Sequence, residues 1–204
     1  MLGTLQHRFK RLRYAWDDLR VRILFARNGV KSRPATNEER ALLIRVPQLI
    51  ACGFAVPFQS DLEVCIHRTF PNGAVAIKYA YEATEVEPGY LPLLVFSRIE
   101  RENSVEEAEQ EFQDGIAAYH TGAAKVGGRF VFKGNLQSWC DNAYVGFTFA
   151  EPNETIVGCL LSFQKGRMIY SVILRGVVLE REEEIEDLVY PFLERGTHWA
   201  EAGA

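Results

Sequence analysis

The chain is poor in the residues that most often do chemistry. Its 204 residues include only four histidines, His7, His67, His120 and His198, and four cysteines, Cys52, Cys65, Cys140 and Cys159. No His-x-x-x-His, His-Glu-x-x-His or Cys-x-x-Cys spacing occurs, which excludes the common sequence patterns for zinc. Thiols this sparse do not build a disulfide core and read as buried groups in a reducing compartment. No apolar run of 18 residues is present, so no membrane-spanning helix is expected. Met1 is followed by polar and basic residues rather than by the apolar core of a secretory signal. These features point to the cytoplasm. Gly158, Ser162 and Gly166 do not make a Gly-x-Ser-x-Gly elbow. The glycines around Lys125 lack the Gly-Lys-Ser/Thr ending of a phosphate loop, and they follow a helix instead of leading into one. No catalytic residue, cofactor or metal is assigned from the sequence.

What the chain does have is a split in charge. The net charge is −4, but residues 1–33 hold nine Lys/Arg against two Asp, and the remainder holds 14 Lys/Arg against 25 Asp/Glu. A +7 leader precedes a −11 body. Within residues 4–25, Leu5, Phe9, Leu12, Trp16, Leu19 and Ile23 recur at helical spacing, and Arg8, Lys10, Arg11, Arg13, Arg20 and Arg22 fill much of the rest. Asn28-Gly29 can end this helix in a left-handed conformation, and Arg33-Pro34 reads as a break. Residues 1–33 are therefore expected to form a basic amphipathic leader, with residues 29–36 as hinge, before a single domain over 34–204. Such a helix has three uses: docking on the acidic body, binding a partner or the surface of a membrane, and targeting. Asp17 and Asp18 count against the targeting and anionic-membrane uses. Nucleic-acid binding is not expected, because no zinc finger or RNA-binding aromatic motif accompanies the basic residues.

The body alternates between the two periodicities. Thr36 or Asn37 is a cap for a short helix near Glu38 that carries Ala41 to Ile44 and stops at Pro47. Cys52–Pro57 is apolar and is expected in the core. Strand patterns follow over 62–67, 75–81 and 91–99, the first pair joined by Pro71-Asn72-Gly73. The third is densest in apolar groups and is expected to be central. Ser104 and Glu107 form a capping box ahead of the stripe Val105, Ala108, Phe112, Ile116 and Tyr119, with Gly122 as terminator. Further strands are expected at about 129–137, 143–150, 155–163 and 168–178, and a last helix begins near Glu182 with Pro191 inside it. Short links favour antiparallel pairing. The expected class is α+β: a twisted antiparallel sheet packed with helices, and an α/β/α sandwich if helices cover both faces.

A few residues merit weighing as site candidates. Glu63, Cys65 and His67 share one face of a strand, where a thiol beside an imidazole can serve as nucleophile or metal ligand. Residues two apart on a strand are about 6.5–7 Å apart at their bases, so an ordinary mixed strand face is the plainer explanation. Trp139-Cys140-Asp141-Asn142 reads as a hairpin loop or the rim of a pocket, with Asp141 able to meet His67 or His120. Tyr79, Tyr81, Tyr90, Phe147, Phe149 and Phe163 suit a core or the lining of a cavity.

Gly53-Phe54-Ala55-Val56-Pro57, the capped helix at 104–121 and Ile156-Val157-Gly158-Cys159-Leu160-Leu161-Ser162-Phe163 together resemble the Mog1/PsbP/DcrB-like superfamily over roughly residues 52–195. The resemblance implies an antiparallel sheet between helices used as an interaction or assembly module, without implying a partner or a catalytic residue. The element order is also similar to that of type III secretion chaperones, acidic dimers that bind unfolded polypeptide segments, although this body has more strand content. The leading expectation is thus a non-enzymatic interaction module whose partner is another protein or a second copy of the chain. The alternatives are a small-molecule-binding protein or cofactor-free enzyme with a pocket near Cys65, His67, Asp141 and Tyr170, and a chaperone-like binder of a polypeptide segment. Peripheral membrane contact by residues 4–25 stays open.

Overall fold

The computed structural model describes residues 25–54, 60–83, 93–125, 128–134, 139–150, 155–179 and 181–203. The expected leader helix therefore lies outside the described residues except for its last turn at 25–27. That turn ends as expected: Gly29 takes φ +73°, and Val30 N donates to Phe25 O at 2.9 Å.

The next segment departs from the expected hinge. Lys31–Pro34 is a strand, β1, which pairs antiparallel with β2, Ser60–Thr69, from Lys31 opposite Thr69 to Pro34 opposite Ile66. Edge strands tolerate proline because one side of the backbone has no partner to satisfy. The sheet thus reaches back across the boundary expected between residues 33 and 34. Thr36 caps the short helix α1, Asn37–Arg40, in a full capping box with Glu39. The helix ends at Arg40 rather than at Pro47. Pro47 instead sits in the first turn of a second helix, α2, Val46–Ala51, where its missing N–H would have had no intrahelical partner. Of the expected core segment Cys52–Pro57, Cys52 and Gly53 are exposed and Phe54 packs against the core, while residues 55–57 lie outside the described residues.

The rest of the sheet follows the sequence pattern more closely. β3 is Val75–Ala83, β4 Leu94–Arg101, β5 Gly128–Gly134, β6 Asn142–Ala150, β7 Thr155–Lys165 and β8 Met168–Arg175. The strand order is β1-β2-β3-β4-β8-β7-β6-β5, with every pair antiparallel. β4 is central, as its apolar density predicts. The connection from β4 to β5 runs through α3, Val105–Lys125, and α4, Glu182–Ala202, closes the chain. Ser104 Oγ accepts from Glu107 N at 3.1 Å at the start of α3, but Glu107 reaches back to Asn103 instead of the cap residue. The helix also continues past Gly122 to Lys125.

Period-two alternation sorts the central strands into two buried faces. On one face Ile77, Tyr79, Tyr81, Val95, Ile99, Leu161, Phe163, Tyr170 and Val172 meet Leu43, Ile44 and Leu49 from the arm after β1, and Ile185, Leu188, Val189 and Phe192 from α4. Gly196 lets α4 close on this face: a Cβ there would stand 2.6 Å from both Ile99 Cδ1 and Met168 Sδ. On the other face Leu160, Ile169 and Tyr144 meet Ala108 and Phe112 of α3, with Ile116 and Tyr119 alongside. Val105 remains 47% exposed and does not join the stripe. The fold is α+β, a multi-stranded antiparallel sheet with helices packed on both faces. Among the described residues no helix is long and apolar enough to cross a membrane.

Candidate functional site

The sheet does not bring Cys65, His67, Asp141 and Tyr170 together. Asp141 precedes β6 and accepts a hydrogen bond from Gly166 N at 2.7 Å, holding the hairpin between β7 and β8. Tyr170 is fully buried in β8; its hydroxyl accepts from Ile44 N at 2.9 Å and lies 3.1 Å from Ser97 Oγ. Burial pushes its phenol well above the ordinary range. That hydroxyl fastens the arm after β1 to the centre of the sheet. His120 Nε2 lies 2.8 Å from Tyr144 Oη rather than beside Asp141. Trp139 packs against the core and stands edge-on to Tyr190, and Cys140 beside it is buried, its thiol raised to about 11, first by burial and then by the Asp141 charge. Tyr79, Tyr81 and Phe163 are core residues, while Tyr90 lies outside the described residues.

His67 does find partners, but different ones. Its Nδ1 is 2.7 Å from Glu39 Oε1 and 3.1 Å from an Arg33 guanidinium nitrogen, and its Nε2 is 3.1 Å from Thr69 Oγ1. Arg33 also donates to both oxygens of Glu39, at 2.5 and 2.8 Å, and Thr36 N donates to Glu39 Oε2 at 2.8 Å. The Arg33 hydrogen bonds, helped by the Thr36 N–H and by His67, hold the Glu39 carboxyl down at about 2. β1, α1 and β2 are tied at this one point. Glu39 and Arg33 escaped the sequence reading because each lies about 30 residues from His67 and only the β1–β2 pairing joins them. The capping-box position of Glu39 was the one local signal.

Cys65, two residues earlier on the same strand, does not meet the imidazole of His67. It lines a cavity of about 450 Å³ with Val30, Ser32, Arg33, Val64 and Ile66. Burial raises its thiol above the ordinary range, the opposite of what a reactive thiolate needs. Glu63, the third member of the expected face, is exposed. Among the described residues no group of three or more His, Cys, Asp or Glu is placed to hold a metal ion.

Comparison with protein-family models, with curated protein sequences and with solved structures gave no match to this chain. Its function is therefore argued from its surfaces.

Those surfaces are strongly acidic over the helices. α4 exposes Glu182, Glu183, Glu186, Asp187, Glu194 and Glu201 against Arg195 as its one exposed Lys or Arg. α3 exposes Glu106, Glu107, Glu109, Glu111 and Asp114, with no exposed Lys or Arg among its described side chains. Tyr190 of α4 is 43% exposed and Ile50 of α2 is 42% exposed. The tip of α2 approaches α4 here: the Cys52 thiol is raised by burial and then by the charge of Asp187.

Proposed function

We propose that the chain is a non-enzymatic, cytoplasmic protein-interaction module whose partner surface is the outer side of α4 and the tip of α2. The observation that carries this reading is the row of carboxylates on α4 with the exposed Tyr190 among them. An aromatic and an aliphatic anchor rimmed by like charges suit a basic protein partner. The apolar contacts supply affinity and the charges supply orientation and encounter rate. The resemblance to Mog1/PsbP/DcrB-like proteins implies the same kind of role, and the +7 leader offers a second surface of opposite sign. In-cell cross-linking of the full chain, compared with a Glu186→Lys, Asp187→Lys, Tyr190→Ala variant, tests the surface. The reading requires loss of cross-linked partners at unchanged thermal stability. An unchanged set of partners would overturn it.

A second reading is favoured by a hydrogen-bonded chain beside β2. Glu39, His67 and Thr69 form a chain of carboxylate, imidazole and hydroxyl, the order found in nucleophilic hydrolases. Its requirement is simple: turnover of p-nitrophenyl acetate above background, abolished by His67→Ala. Absence of that turnover sinks it.

A further inference from the structure

The polar faces of β4 and α3 meet in a cluster that the interaction reading does not use. Glu100 is 4% exposed although it is a carboxylate. It stands on the sheet face that α3 covers, opposite Ile169 of β8 and Ala76 of β3. Arg98, two residues earlier on the same face, pairs with Glu100 and lies 3.9 Å from Glu111 of α3. One guanidinium thus serves two carboxylates that belong to opposite sides of the interface. Among the described residues, the other ionisable groups facing this seam are Glu102 just past β4, Glu107 and Tyr119 of α3, and Lys78, which is opposite Arg98 on β3. The β8 residues in register, Ile169 and Ser171, add no charge.

We propose that the seating of α3 on the sheet is proton-linked, with Glu100 as the group that binds the proton and Arg98 as the guanidinium it shares with Glu111. With Glu100 neutral, a buried acid needs no counter-charge and Arg98 is free to hold Glu111 across the interface. With Glu100 charged, the seam carries an additional buried negative charge and Arg98 is drawn back to β4. Burial pushes the Glu100 carboxyl up to about 7 against the pull of Arg98, and Glu111 and Glu102 push the same way. Because the folded value lies above the unfolded one, the contribution to stability is complete below the ordinary carboxylate range. It is lost as pH rises through about 7. The helix that carries the acidic outer surface is therefore held more tightly in mildly acidic than in mildly alkaline solution. Its release uncovers Leu160, Ile169 and Tyr144, the apolar seat beneath it. This inference does not depend on the partner surface proposed for α4.

Hydrogen exchange of the α3 amides in the full chain tests it, after correction for the pH dependence of chemical exchange. If Glu100 regains its ordinary pKa on opening, the opening constant of α3 should rise on the order of fifty-fold between about pH 5 and about pH 8. Glu100→Gln, which keeps the shape and removes the charge, should flatten that dependence. Glu111→Gln removes a like charge and should move the midpoint to lower pH, a change that a merely structural role for Glu111 would not produce. Protection independent of pH in the natural chain, or an equal dependence in Glu100→Gln, would overturn the proposal. An unmoved midpoint in Glu111→Gln would overturn the shared-guanidinium arrangement. Far-ultraviolet circular dichroism of each variant confirms that the fold is retained.

Discussion

The double substitution Tyr170→Phe with Ser97→Ala gives a sharp test of how the N-terminal arm is fastened. Ile44 N–H is buried and has two acceptors, Tyr170 Oη at 2.9 Å and Ser97 Oγ at 3.2 Å, and the two hydroxyls are themselves 3.1 Å apart. Removing one hydroxyl leaves the amide with the other. Each single substitution should then cost about 1 kcal/mol, the net worth of an ordinary buried hydrogen bond. Removing both leaves the amide with neither hydroxyl acceptor in an environment where Ile44, Ser97 and Tyr170 are all 0% exposed. An orphaned buried donor costs about 1–3 kcal/mol beyond the bonds themselves. The double variant should therefore be less stable than the sum of the singles by roughly 1–2 kcal/mol. Urea unfolding followed by tryptophan fluorescence measures it. With a slope of about 2–3 kcal/mol per molar for a chain of this size, each single should lower the midpoint by about half a molar. The excess in the double should be of similar size, with the slope unchanged. Additive losses would refute the reasoning, because they would mean that the amide never depended on both hydroxyls.

Other outcomes follow from the same structure. Glu39→Gln should loosen β1 with only about 0.2–1 kcal/mol lost near neutrality, since water screens the pair through the half-exposed Arg33 side chain. Because the Glu39 carboxyl is depressed to about 2, its contribution is present above the ordinary carboxylate range and disappears as pH falls through about 2, which acid titration of β1 amide shifts should follow. Gly158→Ala should destabilise by about 2 kcal/mol or more, because its Cβ would stand 2.0 Å from the backbone oxygen of Leu174 and the sheet must move to admit it; thermal unfolding reads the loss. Among the four thiols, Cys52 alone is exposed, so a thiol reagent should label it before the others in the native protein, and reach buried Cys140 and Cys159 only after unfolding. Prompt native labelling of Cys159 would contradict its placement in the core.

The chain itself determines the sheet-and-helix order. Alternation over Val75–Ala83 and the short apolar run over Met168–Arg175 both read as strand, and in the first only one register buries one set of side chains. Ser104 and the stripe from Ala108 to Tyr119 place α3 by local rules of capping and period. Pro71-Asn72-Gly73 likewise sets its own turn, with Gly73 at φ +94°. The acidic character of the exposed helix faces was legible for the same reason: helical period alone assigns those carboxylates outward.

What tertiary structure decided is everything that depends on who lies opposite whom. β1 is four residues long, and its sequence carries a proline, so nothing local marks it as a strand. It becomes one because β2 offers an edge. His67 looked like a partner for Cys65 or Asp141 and instead meets Glu39, since strand pairing and the return of α1 set that distance and sequence spacing does not. Arg98 and Glu100 carry no local signal that marks them as a site. In the folded chain Glu100 is 4% exposed, and burial, with the charges of Glu111 and Glu102, pushes its carboxyl up to about 7 against the pull of Arg98. A local pattern fixes which way a side chain points. Its pKa, its partners and its chemistry are set by the dielectric and charges supplied by segments distant in the chain, and those exist only once the sheet is assembled.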